Sequence, residues 1–304
     1  MATNQINKYV WLLDTIYRAK RITLKEINRR WLDNDLSEGL EIPERTFHKW
    51  RIAIEELFGL AIENEGRGEY RYYIVNDGEI NCGGLRSWLI DTISVSNTLM
   101  NNQGLKDRIL LEDVPSGHQY LSLILEAMKK NQVLRITYQS YWREESNTFN
   151  VEPYCVKLFK QRWYMLAWNP YYQRLMVYAV DRIHEADLLK DKFKMPKDFV
   201  PSEFFDNVYG IIAHSDAKPE KVILKVSAGQ ANYMRSLKLH WTQQETERTD
   251  EYSLFEFYLC PEFDFQQEIL SKGDDFEVLE PLWLREELAE MIKRMWNKYK
   301  KGIE

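Results

Sequence analysis

The sequence predicts a multidomain α+β protein, and three observations carry that prediction. Its 304 residues exceed what one ordinary hydrophobic core organises. Its periodicity changes along the chain, from helical spacing in the first third, to short alternating runs in the middle, to a mixture of both toward the end. Its charge is uneven as well. Lysine and arginine balance aspartate and glutamate over residues 1–75 (12 against 12), exceed them over 132–182 (7 against 4) and fall short over 217–304 (13 against 17). The expected division is a winged helix-turn-helix at 1–78, a helical connector at 79–116, a small β-barrel or strongly curved sheet within 117–190, a linker at 191–216 and an α+β domain at 217–304.

The first element is an amphipathic helix, because Ile6, Tyr9, Val10, Leu13, Ile16 and Tyr17 fall on one stripe. Thr23 followed by Glu26 is a capping-box signature, and Leu24, Ile27 and Trp31 supply the apolar face of a second helix. Pro43 suits a first-turn position, so a third helix runs from there to Gly59. On its wheel Phe47, Trp50, Ile54, Leu57 and Phe58 converge, whereas Arg45, His48, Lys49 and Ile52 point away. Two short strands then flank the tip Glu65-Gly66-Arg67-Gly68. Three helices and a hairpin are the order of a winged helix-turn-helix.

Residues 84–101 read as a helix with the stripe Leu85, Trp88, Leu89, Thr92 and Ile93, 109–114 as a strand, and 118–131 as a helix. Strands are then expected at 132–140, 149–158, 161–168 and 174–181, close enough together for a small barrel. Residues 190–216, with Pro196, Pro201 and many charges, read as linker. Beyond them strand 221–228, helix 228–237, strand 251–260, helix 262–272, strand 276–279 and helix 284–300 give a ferredoxin-like rhythm.

Several function classes find no support. Cys82, Cys155 and Cys260 are odd in number and far apart, which argues for reduced thiols rather than a disulfide framework. No Cys-x-x-Cys, P-loop, Gly-x-Ser-x-Gly or Gly-x-Gly-x-x-Gly occurs, so neither a metal, a cofactor nor an enzyme is expected. No apolar run approaches the ~20 residues that span a bilayer, and the opening residues lack a signal peptide's apolar centre. A cytoplasmic protein without membrane partners is the expectation.

Two constellations remain. Arg45, Thr46, His48 and Lys49 occupy the first half of the third helix, the part that DNA readers insert into the major groove, and Arg67 at the hairpin tip suits a phosphate or minor groove. Such a stripe is also what a solvated helix face looks like, and a three-helix unit serves protein docking equally well. In the basic block, Arg162 and Tyr164 share one face of their strand, and Trp163, Met165 and Ala167 the other. The latter three read as core, whereas Arg162 needs water or an anion. Tyr138 with Ser140, and Arg182 near Tyr178, end two neighbouring strands, and Lys157 and Lys160 add charge. Arginines, a hydroxyl and tyrosine rings suit a phosphate and a stacked base. Each residue taken singly has an ordinary reading, for example Arg182 paired with Asp181 or Glu152.

The segments PERTFHKW, LRITYQS (134–140), VEPYCVKLFKQRWYMLAWN (151–169) and YAVDRI (178–183), in this order, resemble the WYL-domain transcription regulators of bacteria. Met165 stands where that family usually has leucine, a volume-conserving exchange. The resemblance implies a homodimeric regulator that binds double-stranded DNA and senses a nucleotide or single-stranded nucleic acid through an Sm-like or SH3-like barrel. It places the sensor at Tyr138, Ser140, Arg162, Tyr164 and Arg182, to which the charge of the basic block adds Lys157 as a ligand-binding candidate. It likewise makes the C-terminal domain a WCX extension. The competing expectation is an RNA- or single-strand-binding accessory factor whose N-terminal domain docks a protein.

Overall fold

The computed structural model describes residues 2–66, 68, 70–75, 85–101, 108–110, 117–212 and 218–300, which form two compact units, Met1–Glu112 and Asp113–Glu304. Arg67 and most of the expected strand 109–114 lie outside the described residues.

The first unit holds α1 (Ala2–Ala19), α2 (Leu24–Leu32), α3 (Glu44–Phe58), the strands β1 (Ile62–Asn64) and β2 (Tyr72–Ile74), and α4 (Leu85–Asn101). α2 starts where its sequence dictates. The Thr23 hydroxyl accepts from the Glu26 N–H at 3.2 Å, and the Glu26 carboxylate accepts from the Thr23 N–H at 2.9 Å. The connection from α2 to α3 is longer than the usual three or four residues of a helix-turn-helix, and side chains brace it. Asn28 bonds both the N–H and the carbonyl of Ile42, at 2.8 and 3.2 Å, and the Trp31 indole donates to the Leu40 carbonyl at 2.9 Å. α3 stops at Gly59, whose φ of 63° is the left-handed cap that glycine adopts most readily. Its inner face packs Phe47, Trp50, Ile54 and Phe58 into a core shared with Leu13, Ile16, Trp31 and Tyr72. Trp31 meets Trp11 and Trp50 edge-on at 4.8 and 5.5 Å.

Arg51 ties α3 to the hairpin. Its guanidinium donates to the Ile62 carbonyl at 2.8 Å and lies over the Tyr72 ring. Two apolar stripes differ from expectation. Leu57 is exposed, and on α4 Ile93 packs on the core as expected, but Ile90 joins it there while Trp88 and Leu89 look outward.

In the second unit, α5 (His118–Lys130) precedes β3 (Gln132–Tyr138), β4 (Asn147–Phe159), β5 (Arg162–Asn169), β6 (Arg174–Ala179) and β7 (Ile183–Lys192). All pairings are antiparallel, in the order β6-β5-β4-β3-β7. The expected closed barrel is not found, because the edge strands β6 and β7 do not pair with each other. They are nevertheless joined by only the 3-10 turn Val180–Arg182. A flat sheet would separate its two edges by roughly 19 Å, whereas the four steps from Ala179 to Ile183 reach at most about 14 Å. The sheet therefore curls, helped by a bulge between Pro153 and Cys155 where β4 changes partner from β3 to β5. Met165, Ala167, Val151, Leu134 and Val180 fill its inside under Ile124 and Ala127 of α5.

Residues 190–212 are not a bare linker. They include the end of β7 and the short α6 (Pro201–Asp206), and Phe193 and Phe199 pack on Tyr154. They lead to β8 (Glu220–Ser227), α7 (Ala228–Ser236), β9 (Gln244–Arg248), β10 (Tyr252–Leu259), α8 (Phe263–Leu270), β11 (Phe276–Glu280) and α9 (Leu282–Lys300). The strands order as β11-β8-β10-β9, all antiparallel, so a β-α-β-β-α-β unit is followed by one more helix. Val222, Leu224, Phe255, Phe257 and Phe265 form its core.

Among the described residues no helix is long and apolar enough to cross a membrane, and no cluster has metal-ligand character.

Candidate functional site

The motif strand β5 begins after a two-residue hairpin turn in which Lys160 and Gln161 both have positive φ, 46° and 63°. This backbone matches the twist of the strands, although glycine or asparagine is the usual occupant. The turn delivers Arg162 to the strand's first position, beside the 3-10 turn that carries Asp181 and Arg182.

There the Arg162 guanidinium bonds the Asp181 carboxylate, with the two side chains 26% and 7% exposed. That bond holds Arg162 firmly protonated. Arg182 lies over the Tyr141 ring, 3.6 Å from guanidinium carbon to ring centre. The Tyr141 hydroxyl is drawn below its usual pKa, first by a hydrogen bond from Arg162 and then by the charge of Arg182. Tyr138 and Tyr164 complete the surroundings, and burial raises the pKa of both. The Tyr138 hydroxyl accepts from the Ala179 N–H at 3.3 Å, and its ring meets Tyr178 edge-on at 5.3 Å.

The cluster is incompletely satisfied. Arg162 Nε, Asp181 Oδ1 and Arg182 Nε are buried and have no hydrogen-bond partner. An unmet buried polar group costs about 1–3 kcal/mol. Arginine guanidinium N–H groups without partners are donors of the kind that bind an oxyanion.

A cleft of roughly 890 Å³ runs from Arg182, Tyr138 and Ser140 out to Trp142, Arg143 and Tyr172. Trp142, 96% exposed, and Tyr171, 84% exposed, present their rings to solvent at the rim of this cleft. The loop bearing Tyr171 and Tyr172 is nonetheless firmly built. Asn169, 1% exposed, accepts from both of their N–H groups at 3.0 and 3.1 Å and donates to the Tyr178 hydroxyl at 2.9 Å.

Of the residues expected here, Tyr138, Arg162, Tyr164 and Arg182 come together. Ser140 lines the cleft, but its hydroxyl accepts from the Trp142 N–H within its own loop. Lys157 is elsewhere. Its ammonium donates to the Gly210 carbonyl at 2.6 Å and sits over the Phe205 ring, fastening the sheet to the segment that follows it. The alternative partner proposed for Arg182 is also changed, since Asp181 pairs with Arg162. Sequence reasoning missed Tyr141, Trp142 and the Tyr171–Tyr172 loop. Their signal was present as aromatic residues next to Arg143 and Arg174 in the basic block.

In the first unit Arg45, His48 and Lys49 are exposed on one face of α3, and Thr46 is half-buried at its edge. His48 lies 3.9 Å from Glu44.

Comparison with protein families matches residues 119–188 to the WYL domain and 218–296 to the WCX domain, so both domains are present. No curated protein matches. Among solved structures, Proteasome accessory factor B/C (PafBC) of Arthrobacter aurescens is 17% identical, covering 93% of this chain and 45% of that one with a TM-score of 0.35. A CRISPR Cas-related protein is 11% identical, covering 97% of this chain and 86% of that one with a TM-score of 0.41. This chain thus spans less than half of the first of these structures.

Proposed function

We infer that this chain, with its WYL domain followed by a WCX domain, is a cytoplasmic DNA-binding transcription regulator that senses a phosphate-bearing ligand, a nucleotide or single-stranded nucleic acid. The observation that carries the reading is the arginine cluster at Arg162, Asp181 and Arg182, which holds unmet buried polar atoms and whose Arg182 lines a cleft rimmed with exposed aromatic rings. The arginines suit phosphate oxygens and the rings suit bases, each stacked base contributing about 1–3 kcal/mol. Nothing in the cluster resembles a nucleophile with its base, so the role is recognition and not catalysis.

Duplex DNA is assigned to Arg45, Thr46, His48 and Lys49 on α3, with Arg67 from the sequence between β1 and β2. A homodimer completes the regulator. On α9, Ile292, Met295, Trp296 and Tyr299 form an exposed apolar stripe, and a second copy packed against it would bury these side chains.

The test is salt-dependent duplex binding by the wild type and by Arg45→Ala/Lys49→Ala. The double variant is expected to weaken binding and lower the salt slope by about 2. Absence of duplex binding by the wild type would favour the second reading, a single-strand-binding accessory factor. That reading is supported by Ile52 and Leu57, two apolar residues exposed on α3 that suit protein docking better than DNA.

A further inference from the structure

The turn that carries Asp181 and Arg182 is gripped from behind by the first turn of α5. Gly117, immediately before that helix, has a φ of 64°, and a Cβ placed on it would meet Val180 C at 2.5 Å, Asp181 Cα at 2.8 Å and the Asp181 nitrogen closer still. These neighbours are backbone atoms, which cannot rotate aside. Three residues on, the Tyr120 hydroxyl donates to the His184 carbonyl, just past the turn, while the Tyr120 N–H donates to the Gly117 carbonyl at 3.1 Å. Val180 lies fully buried with Ile124 of the same helix. On the other side, the Gln139 N–H donates to the Arg182 carbonyl at 3.2 Å and Tyr138 holds the Ala179 N–H.

We propose that Gly117 and Tyr120 are positioning residues for the anion site, acting through the Val180–Arg182 turn, so that filling the arginine cluster and placing the start of α5 are coupled. The proposal rests on the reading of that cluster as an anion site and adds to it a route toward the rest of the chain. Any side chain at 117 must push the turn back by about an ångström to restore ordinary contact, whereas arginine recognition tolerates displacements of about 0.5 Å. The coupling works in both directions, because an anion that fixes Arg182 also fixes the surface on which Gly117 rests.

The probe is a fluorescein-labelled hexathymidylate with a 5′-phosphate, followed by anisotropy in the full chain, with circular dichroism and thermal melting to establish folding. Gly117→Ala is expected to weaken binding about 10–100-fold and Tyr120→Phe about 2–5-fold. Adding Gly117→Ala to Arg182→Ala should cost nothing beyond Arg182→Ala alone, because both act through one turn. In the wild type, amide exchange of residues 118–122 should slow with the probe, and in Arg182→Ala it should not. A residue that merely stabilises the fold would shift melting without producing this pattern. Wild-type affinity in folded Gly117→Ala and Tyr120→Phe, or additive losses in the double variant, would overturn the proposal. If Gly117→Ala does not fold, Tyr120→Phe carries the test.

Should the wild type fail to bind the probe, the anion-site reading is what fails for this ligand, and positioning is read without it. The Nε–H NMR signals of Arg162 and Arg182 are then expected to move in Tyr120→Phe, and unmoved signals would refute the grip.

Discussion

Two buried ionic clusters flank the Lys160–Arg162 hairpin, and they differ in completeness. Around Glu268 on α8 each carboxylate oxygen is met: Lys160 and Tyr209 donate to one at 2.8 and 2.7 Å, and Lys272 reaches the other at 2.9 Å. Burial by itself would raise the Glu268 pKa, but these three donors outweigh it and pull the group down to about 2. Around Asp181, the acceptor for Arg162 two residues along the chain from Lys160, three buried polar atoms have no partner. A closed network rigidifies a structure, whereas an open one carries a standing cost unless something else completes it. The difference separates fastening from recognition within one hairpin. Lys160 joins the WYL sheet to the WCX domain, and Arg162 bonds Asp181 beside Arg182, which lines the cleft. The left-handed backbone at Lys160 and Gln161, costing of order 1–2 kcal/mol per residue, is held in place by the Glu268 bond.

The sharpest way to break this contrast is Glu268→Ala. It leaves the Tyr209 hydroxyl without its acceptor and takes the carboxylate from two partly exposed lysines, so urea unfolding should show a loss of about 1–3 kcal/mol, while the folded protein keeps its oligonucleotide affinity. Arg182→Ala should do the reverse. Affinity for a single-stranded oligonucleotide falls about 30-fold or more by anisotropy, and stability changes by less than about 1 kcal/mol. Arg162→Ala sits between the two, since it removes a ligand group and also leaves the Asp181 carboxylate buried without its cation.

An effect of pH separates the clusters further. The Glu268 pKa is depressed in the folded state, so its contribution is present above the unfolded value near 4.5 and is lost as pH falls through about 2. Between about pH 5 and pH 2 the wild type should lose about 1–2 kcal/mol more than Glu268→Gln does, as read from unfolding midpoints. The smallest effect is expected at the rim. Trp142→Ala should weaken oligonucleotide binding about 5-fold while leaving inorganic phosphate binding untouched, because the ring offers a stacking surface and no charge.

What the sequence made legible was local. The Thr23–Glu26 cap, the inward Phe47, Trp50 and Ile54, and the inward Met165 and Ala167 follow from spacing alone, because each depends on residues within one or two turns or on strict alternation. What it hid depends on partners far away. β7, reading HEADLLKDK after Ile183, and β9, reading QETER, are edge strands with too little apolar alternation to signal themselves. Asp181 adjoins Arg182 in the chain but bonds Arg162, and Lys157 is claimed by a backbone carbonyl at Gly210, an acceptor that every residue carries and no pattern distinguishes. The candidate site was therefore half legible. Its charged residues stood out in the basic block, and the carboxylate that organises them did not.

The short link between the two edge strands also bears on how this domain assembles. Strands β6 and β7 are neighbours in sequence yet occupy opposite edges of the sheet, with β5, β4 and β3 between them. The Val180–Arg182 link can reach its final position only after those three inner strands have paired, so it belongs to the last contacts formed on folding. Once closed, it is held by the buried Val180 and by the bonds that Gln139 and Tyr138 make to its two ends. Binding at Arg182 would then appear first as slowed amide exchange at residues 179–184, before any change in global unfolding.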